Sequence, residues 1–339
     1  MALDIFQRIQ VGLDVKRQNV TEFLETASEE EKDVCLCDDD LCIEEHLHVI
    51  DESLEKIEDH TLGICEICQG VVDAALLEMD YTAHVCLDHY SEDERRRLES
   101  ELELSQVVQR ALLPQSAPRI SGVEVAAFSR PVEIIGGDYF DFFQFRDGSH
   151  GLVIADVSGH GVSAAMLMSS LQTAIQTMAP YADSPAEILE RINRFYIHNI
   201  NFTTFVTVFL AQFDPTTRTL TYVNAGHNPP AVYRSGMNEI QWLMPTAPAI
   251  GLAEAFYPRT ESVTLSKGDS LLLYTDGVTE VLNTSNEQFG NDRLAELILQ
   301  STHLSAPSIL QSILQKASAF GNNQSLADDL TMVALKISS

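Results

Sequence analysis

Gly151-Leu-Val-Ile-Ala-Asp156-Val-Ser-Gly159-His160-Gly161 is the stretch from which the fold class of this chain is read. Its first five residues are small or apolar and uncharged, the pattern of a strand covered on both faces. Asp156 closes that strand, and Ser158-Gly-His-Gly161 follows as a tight turn that lets backbone approach closely. The Ala- and Met-rich run after Val162 predicts a helix over 162–178. A lone carboxylate at a buried strand end is costly unless an ion or a cationic side chain neutralises it. Taken alone, Asp156 reads equally well as a turn aspartate.

Three further carboxylate stations stand beside glycine or at the edge of an apolar run. They are Gly136-Gly-Asp138-Tyr-Phe-Asp141, Leu271-Leu-Leu-Tyr-Thr-Asp276-Gly277 and Asp328-Asp329-Leu-Thr331. No cysteine occurs beyond Cys86, so the site they predict is all-oxygen and suits hard divalent ions such as Mg²⁺ or Mn²⁺. Two such ions about 3.5–4 Å apart, sharing one aspartate and activating a water, are hydrolytic machinery for a phosphate ester.

Around these stations the pattern predicts an α/β domain over 119–339. Strands are expected at 123–129, 139–145, 151–156, 204–213, 219–224, 231–234, 239–243, 261–265, 270–275 and 330–337, and helices at 162–178, 185–198, 292–300 and 307–319. Ser184-Pro-Ala-Glu187 supplies a cap and a first-turn proline for the second helix. Thr203–Phe213 is apolar on both faces, so helices should cover the outside of stacked sheets. The helices fall in pairs between sets of strands, which argues against a dinucleotide-binding fold. No GxxxxGK[ST] phosphate loop is present.

Composition narrows the partners. The chain has 339 residues, is 45% apolar and carries a net charge of −29, most of it in the first 110 residues. That sign repels nucleic acid and anionic membrane, so neither is an expected partner. No apolar run reaches the roughly 18 residues of a membrane span. The opening MALDIFQRIQ is too polar for a signal peptide, so a cytoplasmic location is expected.

All six cysteines lie within residues 35–86, marking a separate module. Before it, Ile9, Leu13, Val20, Leu24 and Ala27, then Ile43, Leu47, Ile50, Leu54 and Ile57, fall at helical spacing. They predict a helical hairpin over 1–60 with an acidic tip at Val34–Asp40. Cys35, Cys37 and Cys42 read as ordinary thiols, and His46 and His48 as solvated helix residues. Cys65-Glu-Ile-Cys68 and Cys86-Leu-Asp-His89 form two chelating turns over 61–90, suited to one structural Zn²⁺ with no open coordination position. A disulfide is the rival reading, and His84 the rival imidazole. This pattern, with DESLEKIEDHTLGICEIC before it, resembles the DksA/TraR-type zinc finger. His89 stands where that family often has cysteine, and the DxxDxA tip of its polymerase-acting members is missing. Residues 91–118 are a linker: Ser91-Glu-Asp-Glu94 caps a helix over 91–113 that Pro114 ends. Its expected apolar stripe is Leu98, Leu102, Val108, Ala111 and Leu112, a possible homodimer seam.

Arg130-Pro131, Gly136-Gly-Asp-Tyr-Phe-Asp141, Asp156-Val-Ser-Gly-His-Gly161, Ala225-Gly-His-Asn-Pro-Pro230, Tyr274-Thr-Asp-Gly-Val-Thr-Glu280 and Asp328-Asp-Leu-Thr331 occur in this order. Together they resemble the SpoIIE/RsbU class of PPM-type serine/threonine protein phosphatases. The resemblance implies a β-sandwich flanked by helices on both faces, with two Mn²⁺ or Mg²⁺ ions at one edge. Carried over, Asp138 would bind one metal, Asp156 would bridge both, and the Val157 carbonyl would help the first. Asp276 and Asp328 would hold the other, while Asp329 falls outside the ligand set. The implied substrate is a phosphorylated STAS-type anti-sigma-factor antagonist in bacterial partner-switching. The competing reading is a transcription-machinery binding module, finger plus hairpin, with the phosphatase-like domain as a scaffold.

Overall fold

A computed structural model describes residues 41–72, 77, 84–86, 89, 91–132, 134–159, 161–199, 205–254, 256–322 and 328–338, with isolated positions before 22. The chain divides into two compact units, Met1–Glu101 with Asn201–Thr203, and Leu102–Ile200 with Thr204–Ser339.

The larger unit is a sandwich of two five-stranded antiparallel sheets. β1 (Val123–Arg130), β10 (Leu330–Ile337), β9 (Ser270–Tyr274), β6 (Ala231–Arg234) and β7 (Glu239–Trp242) lie in that order in one sheet. β2 (Tyr139–Gln144), β3 (His150–Val157), β4 (Val206–Asp214), β5 (Thr219–Ala225) and β8 (Glu261–Thr264) form the other. Strand alternation explains why the central strands read as unbroken apolar runs. Along β3, Val153, Ala155 and Val157 face one apolar cluster, while Leu152 and Ile154 face another. β4 repeats this, with Val206, Val208 and Leu210 on one side and Phe209, Ala211 and Phe213 on the other. Each fully buried Val, Leu, Ile or Phe side chain among these contributes about 1.5–3 kcal/mol.

Three apolar layers result. The middle one, with Ile154, Phe209, Leu271 and Val333, fills the space between the sheets. Outside the second sheet lie α3 (Gly161–Met178) and α4 (Pro185–Asn199), which contribute Met168, Leu171, Ile175, Ile188 and Ile192. Outside the first lie α6 (Gly290–Gln300) and α7 (Ala306–Phe320), contributing Leu294, Ile298, Ile309 and Ile313. The expected helix–sheet–sheet–helix order is therefore present. At the start of α4, Ser184 Oγ accepts from Glu187 N at 3.3 Å, and the Glu187 carboxylate reaches back to Asp183 N at 3.0 Å. A four-residue helix, α5 (Asp276–Thr279), and a 3₁₀ turn at Ala179–Tyr181 are additions that the sequence pattern did not show.

The linker helix α2 spans Glu92–Leu112, but its expected apolar stripe needs correction. Val108 is 54% exposed and Ala111 is also exposed, whereas Gln109 is buried at 8%. The inward side of residues 102–112 is Leu102, Gln106, Gln109 and Leu112, and polar side chains make its contacts. Gln106 donates to Ile134 O at 2.7 Å, and Gln109 binds both backbone groups of Gly136. Leu102 and Leu112 of the expected stripe are half-buried on this side, beside the two hydrogen-bonded glutamines. Leu98's side chain lies outside the described residues.

In the smaller unit, α1 (Leu41–Glu58) buries Ile50 and Ile57 against Leu13 and Leu62. Cys65, Val72 and Leu77 form a second small cluster. His48 is exposed, as expected of a solvated helix residue. The acidic tip, Cys35 and Cys37, and most of the first hairpin helix lie outside the described residues, as does the side chain of Cys42.

Candidate active site

The four carboxylate stations arrive at one edge of the sandwich because antiparallel strands alternate their ends. β2 pairs with β3 in a register that sets Tyr139 against Ala155. Continued by one residue, it places Asp138, before β2, opposite Asp156, near the end of β3. In the other sheet Met332 pairs with Tyr274, so Asp276, after β9, and Asp328 and Asp329, before β10, share the corresponding edge.

Side chains tie the two sheets together there. Thr275 Oγ1 donates to Asp138 Oδ2 at 2.8 Å, and Thr331 N donates to Thr275 Oγ1 at 3.0 Å. Asp329 Oδ2 accepts from Gly137 N at 2.8 Å, and its Oδ1 accepts from Val132 N at 2.7 Å. Glycine is required by close approach. A Cβ on Gly137 would stand 3.1 Å from the Val157 carbonyl oxygen, and one on Gly136 would collide with the Asp329 carboxylate. From outside the motif, Gln109 Nε2 donates to Gly136 O at 2.7 Å while its Oε1 accepts from Gly136 N at 3.1 Å. The turn carrying Asp138 is thus held from two sides.

The charges at this edge oppose one another. Burial, then the nearby Asp156 carboxylate, pushes Asp138 well above the usual carboxylate range. Burial, followed by Asp276, Asp328, Asp329 and Glu280, lifts Asp156 to about 7. Burial, then Asp328 and Glu280, lifts Asp276 to about 6. Among the described residues no lysine or arginine pairs with Asp138, Asp156 or Asp276. Partly buried oxygen donors crowded together without a cationic side chain are what hard divalent cations require, so the donor set fits Mg²⁺ or Mn²⁺. A separate group, Cys65, Cys68, Cys86 and His89, has possible ligand atoms that all lie within 4.8 Å of one another.

His227 is buried at 1% and shares a 2.8 Å hydrogen bond between Nδ1 and Thr207 Oγ1, while its backbone N donates to Asn224 Oδ1. Burial drops its pKa to about 3, so it stays neutral and braces the loop after β5. His160 lies outside the described residues. Sequence reasoning missed Gln109 and Thr275 and placed Asp329 outside the metal ligands without a role of its own. The adjacency of Thr275 to Asp276 at a strand end was the available signal for the threonine. A glutamine in a linker helix offers none.

A helix-covered double sheet with carboxylates gathered at one edge defines the PPM-type metal-dependent phosphatases. Residues 146–338 match the family described as Stage II sporulation protein E (SpoIIE), and the chain belongs to that family. It is a metal-dependent serine/threonine phosphatase. Among relatives, it is 27% identical over 290 residues to "Phosphoserine phosphatase RsbU" of Bacillus subtilis, covering 83% of this chain and 86% of that one. It is 28% identical over 186 residues to "Phosphoserine phosphatase RsbP" of the same organism, covering 53% and 45%. Among solved structures, the SiaA-PP2C domain of Pseudomonas aeruginosa superposes with a TM-score of 0.63 at 21% identity, over 72% of this chain and 98% of that one. The RsbU and RsbW domains of a Mycobacterium tuberculosis protein give 0.56 at 27% identity, over 67% and 64%. No helix among the described residues is long and apolar enough to cross a membrane.

Proposed function

We propose that Asp138, Asp156, the Val157 carbonyl, Asp276 and Asp328 hold two Mn²⁺ or Mg²⁺ ions. The substrate proposed is phosphoserine or phosphothreonine on a STAS-type anti-sigma-factor antagonist, within a partner-switching pathway. The observation that carries this reading is the convergence of raised-pKa carboxylates where the two sheets meet, three of them with no cationic partner among the described residues. Similarity to two phosphoserine phosphatases supports the substrate class.

Bound divalent ions supply local positive charge for the phosphoryl oxygens and a water of lowered pKa. The chain's own residues prepare the place. Asp156, opposite Asp138 and coupled by charge to Asp276 and Asp328, would serve both ions. Thr275 fixes the Oδ2 oxygen of Asp138 and so orients the carboxylate that would ligate. Asp329 and Gln109 hold the Gly136-Gly137 backbone from which Asp138 projects. Neutral, buried His227 is a poor proton donor for the leaving seryl oxygen. We also propose a homodimer through α2, whose Leu104, Val107 and Val108 are 64%, 62% and 54% exposed in the single chain.

The test is hydrolysis of phosphoserine-bearing STAS proteins by the full chain with Mn²⁺. Asp156→Asn should abolish turnover and calorimetric Mn²⁺ binding together. Wild-type turnover in excess EDTA, or by that variant, refutes the ligand assignment. Efficient turnover of unrelated phosphoproteins, with none of STAS substrates, refutes the substrate class alone.

A further inference from the structure

We propose that the smaller unit holds one structural zinc ion, on the Sγ atoms of Cys65, Cys68 and Cys86 and one ring nitrogen of His89, and that this ion anchors the start of α2. The four possible ligand atoms all lie within 4.8 Å of one another. Zinc–sulfur bonds of about 2.3 Å in a tetrahedron put sulfurs roughly 3.8 Å apart. Cys68 Sγ and Cys86 Sγ stand 3.9 Å apart, close to that spacing and far beyond the roughly 2.05 Å of a disulfide.

The backbone around the thiols is built for the purpose. Cys65 N donates to Gly70 O at 2.8 Å and Gln69 N to Cys65 O at 2.8 Å, which closes a tight knuckle around Cys65 and Cys68. Gln69 takes φ of 58°, a left-handed conformation that a side-chain-bearing residue enters at a cost. Glu66 N donates to His84 O at 2.9 Å, stitching the first chelating turn to the second. Cys86 N donates to Cys65 Sγ at 3.4 Å, so this sulfur already acts as an acceptor. His89 N donates to Cys86 O at 2.9 Å, completing a turn that brings the imidazole to the thiols.

Energetics point the same way. Cys65 is fully buried, and among the described residues its cluster holds Val72 and Leu77, with Phe6, Ile9, Val85 and Cys86 partly buried against them. Small modules commonly add a metal staple to offset the entropy of ordering their loops. Three thiolates and an imidazole select zinc over Mg²⁺ or Mn²⁺, and four protein donors leave no position for substrate. Because α2 begins at Glu92, three residues after His89, the ion fixes the chain where the helix starts.

Every cysteine lies between residues 35 and 86, so a thiol-directed mercurial acts on this unit and leaves the carboxylates of the sandwich untouched. The full chain, purified without chelator, should contain one zinc per chain by elemental analysis. Titration with the mercurial should release it, and hydrogen exchange should then speed up across residues 63–101 but not in the strands. In Co²⁺-loaded protein a thiolate-to-cobalt charge-transfer band with strong tetrahedral d–d bands is expected. His89→Cys, which keeps four donors should the serine variants misfold, should retain one metal and intensify the charge-transfer band. Asp156→Asn should keep its zinc, which separates this site from the catalytic one. Zinc-free wild-type protein, full zinc retention in Cys65→Ser/Cys68→Ser, or an unchanged cobalt spectrum in His89→Cys overturns the assignment. Unchanged exchange over 92–101 after zinc release overturns the anchoring.

Discussion

Removing the Asp329 carboxylate tests how the catalytic edge is built. Its Oδ2 accepts from Gly137 N at 2.8 Å and from Asp138 N at 3.4 Å, and its Oδ1 accepts from Val132 N at 2.7 Å. In Asp329→Ala the Val132 amide, on an exposed residue, finds water at little cost. Gly137 is buried, and an unsatisfied buried amide costs about 1–3 kcal/mol, with charge-assisted bonds at the upper end. Against this, the Asp329 charge helps to raise Asp138 and Asp156, so its loss relieves some repulsion. The net destabilisation expected in chelator is about 1–2 kcal/mol. Asp329→Asn keeps one acceptor oxygen but turns an NH₂ toward an amide donor, so it should recover less than half. The chain has one tryptophan, Trp242, packed against the outer cluster of the first sheet, so urea unfolding followed by its fluorescence reads this domain. Displacing the Asp138 backbone should also raise the Mn²⁺ concentration for half-maximal phosphatase activity about tenfold, the equivalent of about 1.4 kcal/mol. An Asp329→Ala protein that unfolds within 0.5 kcal/mol of wild type and is activated at the same Mn²⁺ concentration would show that the brace carries no weight.

Asp156→Asn bears on the electrostatics without metal. A carboxyl raised from 3.8 to about 7 penalises the fold above that pH, and the penalty vanishes below the unfolded pKa. In chelator the variant should therefore melt higher than wild type at pH 8 and lose this advantage by pH 4; equal melting temperatures at pH 8 would contradict the repulsion. Gly277→Ala drives a methyl into the Asp329 carbonyl oxygen, so it should cost several kcal/mol of stability and most activity, and a thermal melt within a degree or two of wild type would rule out the close approach. Leu104→Glu with Val108→Glu changes exposed side chains and should leave the fold intact while converting a dimer to monomer in sedimentation. A monomeric wild type at micromolar concentration removes the dimer from consideration. Leu171→Ala empties a site at 0% exposure under α3 and should cost about 2–5 kcal/mol.

The sandwich was legible because its central strands are buried on both faces, and a run such as Val206–Phe213 satisfies two apolar layers at once. Its carboxylate edge was legible because buried strands ending in aspartate beside glycine are expensive without a counter-charge. Gln109 was not legible: helical periodicity ranks residues by apolarity, and here an amide bonded to both backbone groups of Gly136 is buried while Val108 is exposed. The part of Asp329 was hidden for another reason. Local sequence gives no sign that a residue before β10 will meet amides at Val132 and Gly137, because that meeting is made by β1 pairing with β10 along its whole length.

Gln109 also decides how much chain a working catalytic domain needs. The motifs begin at Arg130, and Pro114–Pro118 looks from composition like the natural place to cut. A fragment starting at Arg119 would keep every carboxylate and every strand, yet it would leave the amide and carbonyl of Gly136 facing an empty groove. A fragment starting at Leu102 retains the glutamine that fills it. Measured activities of the two fragments would then differ although their metal-binding residues are identical, and a weak shorter fragment would be a consequence of where the chain was cut rather than of an intrinsically slow enzyme.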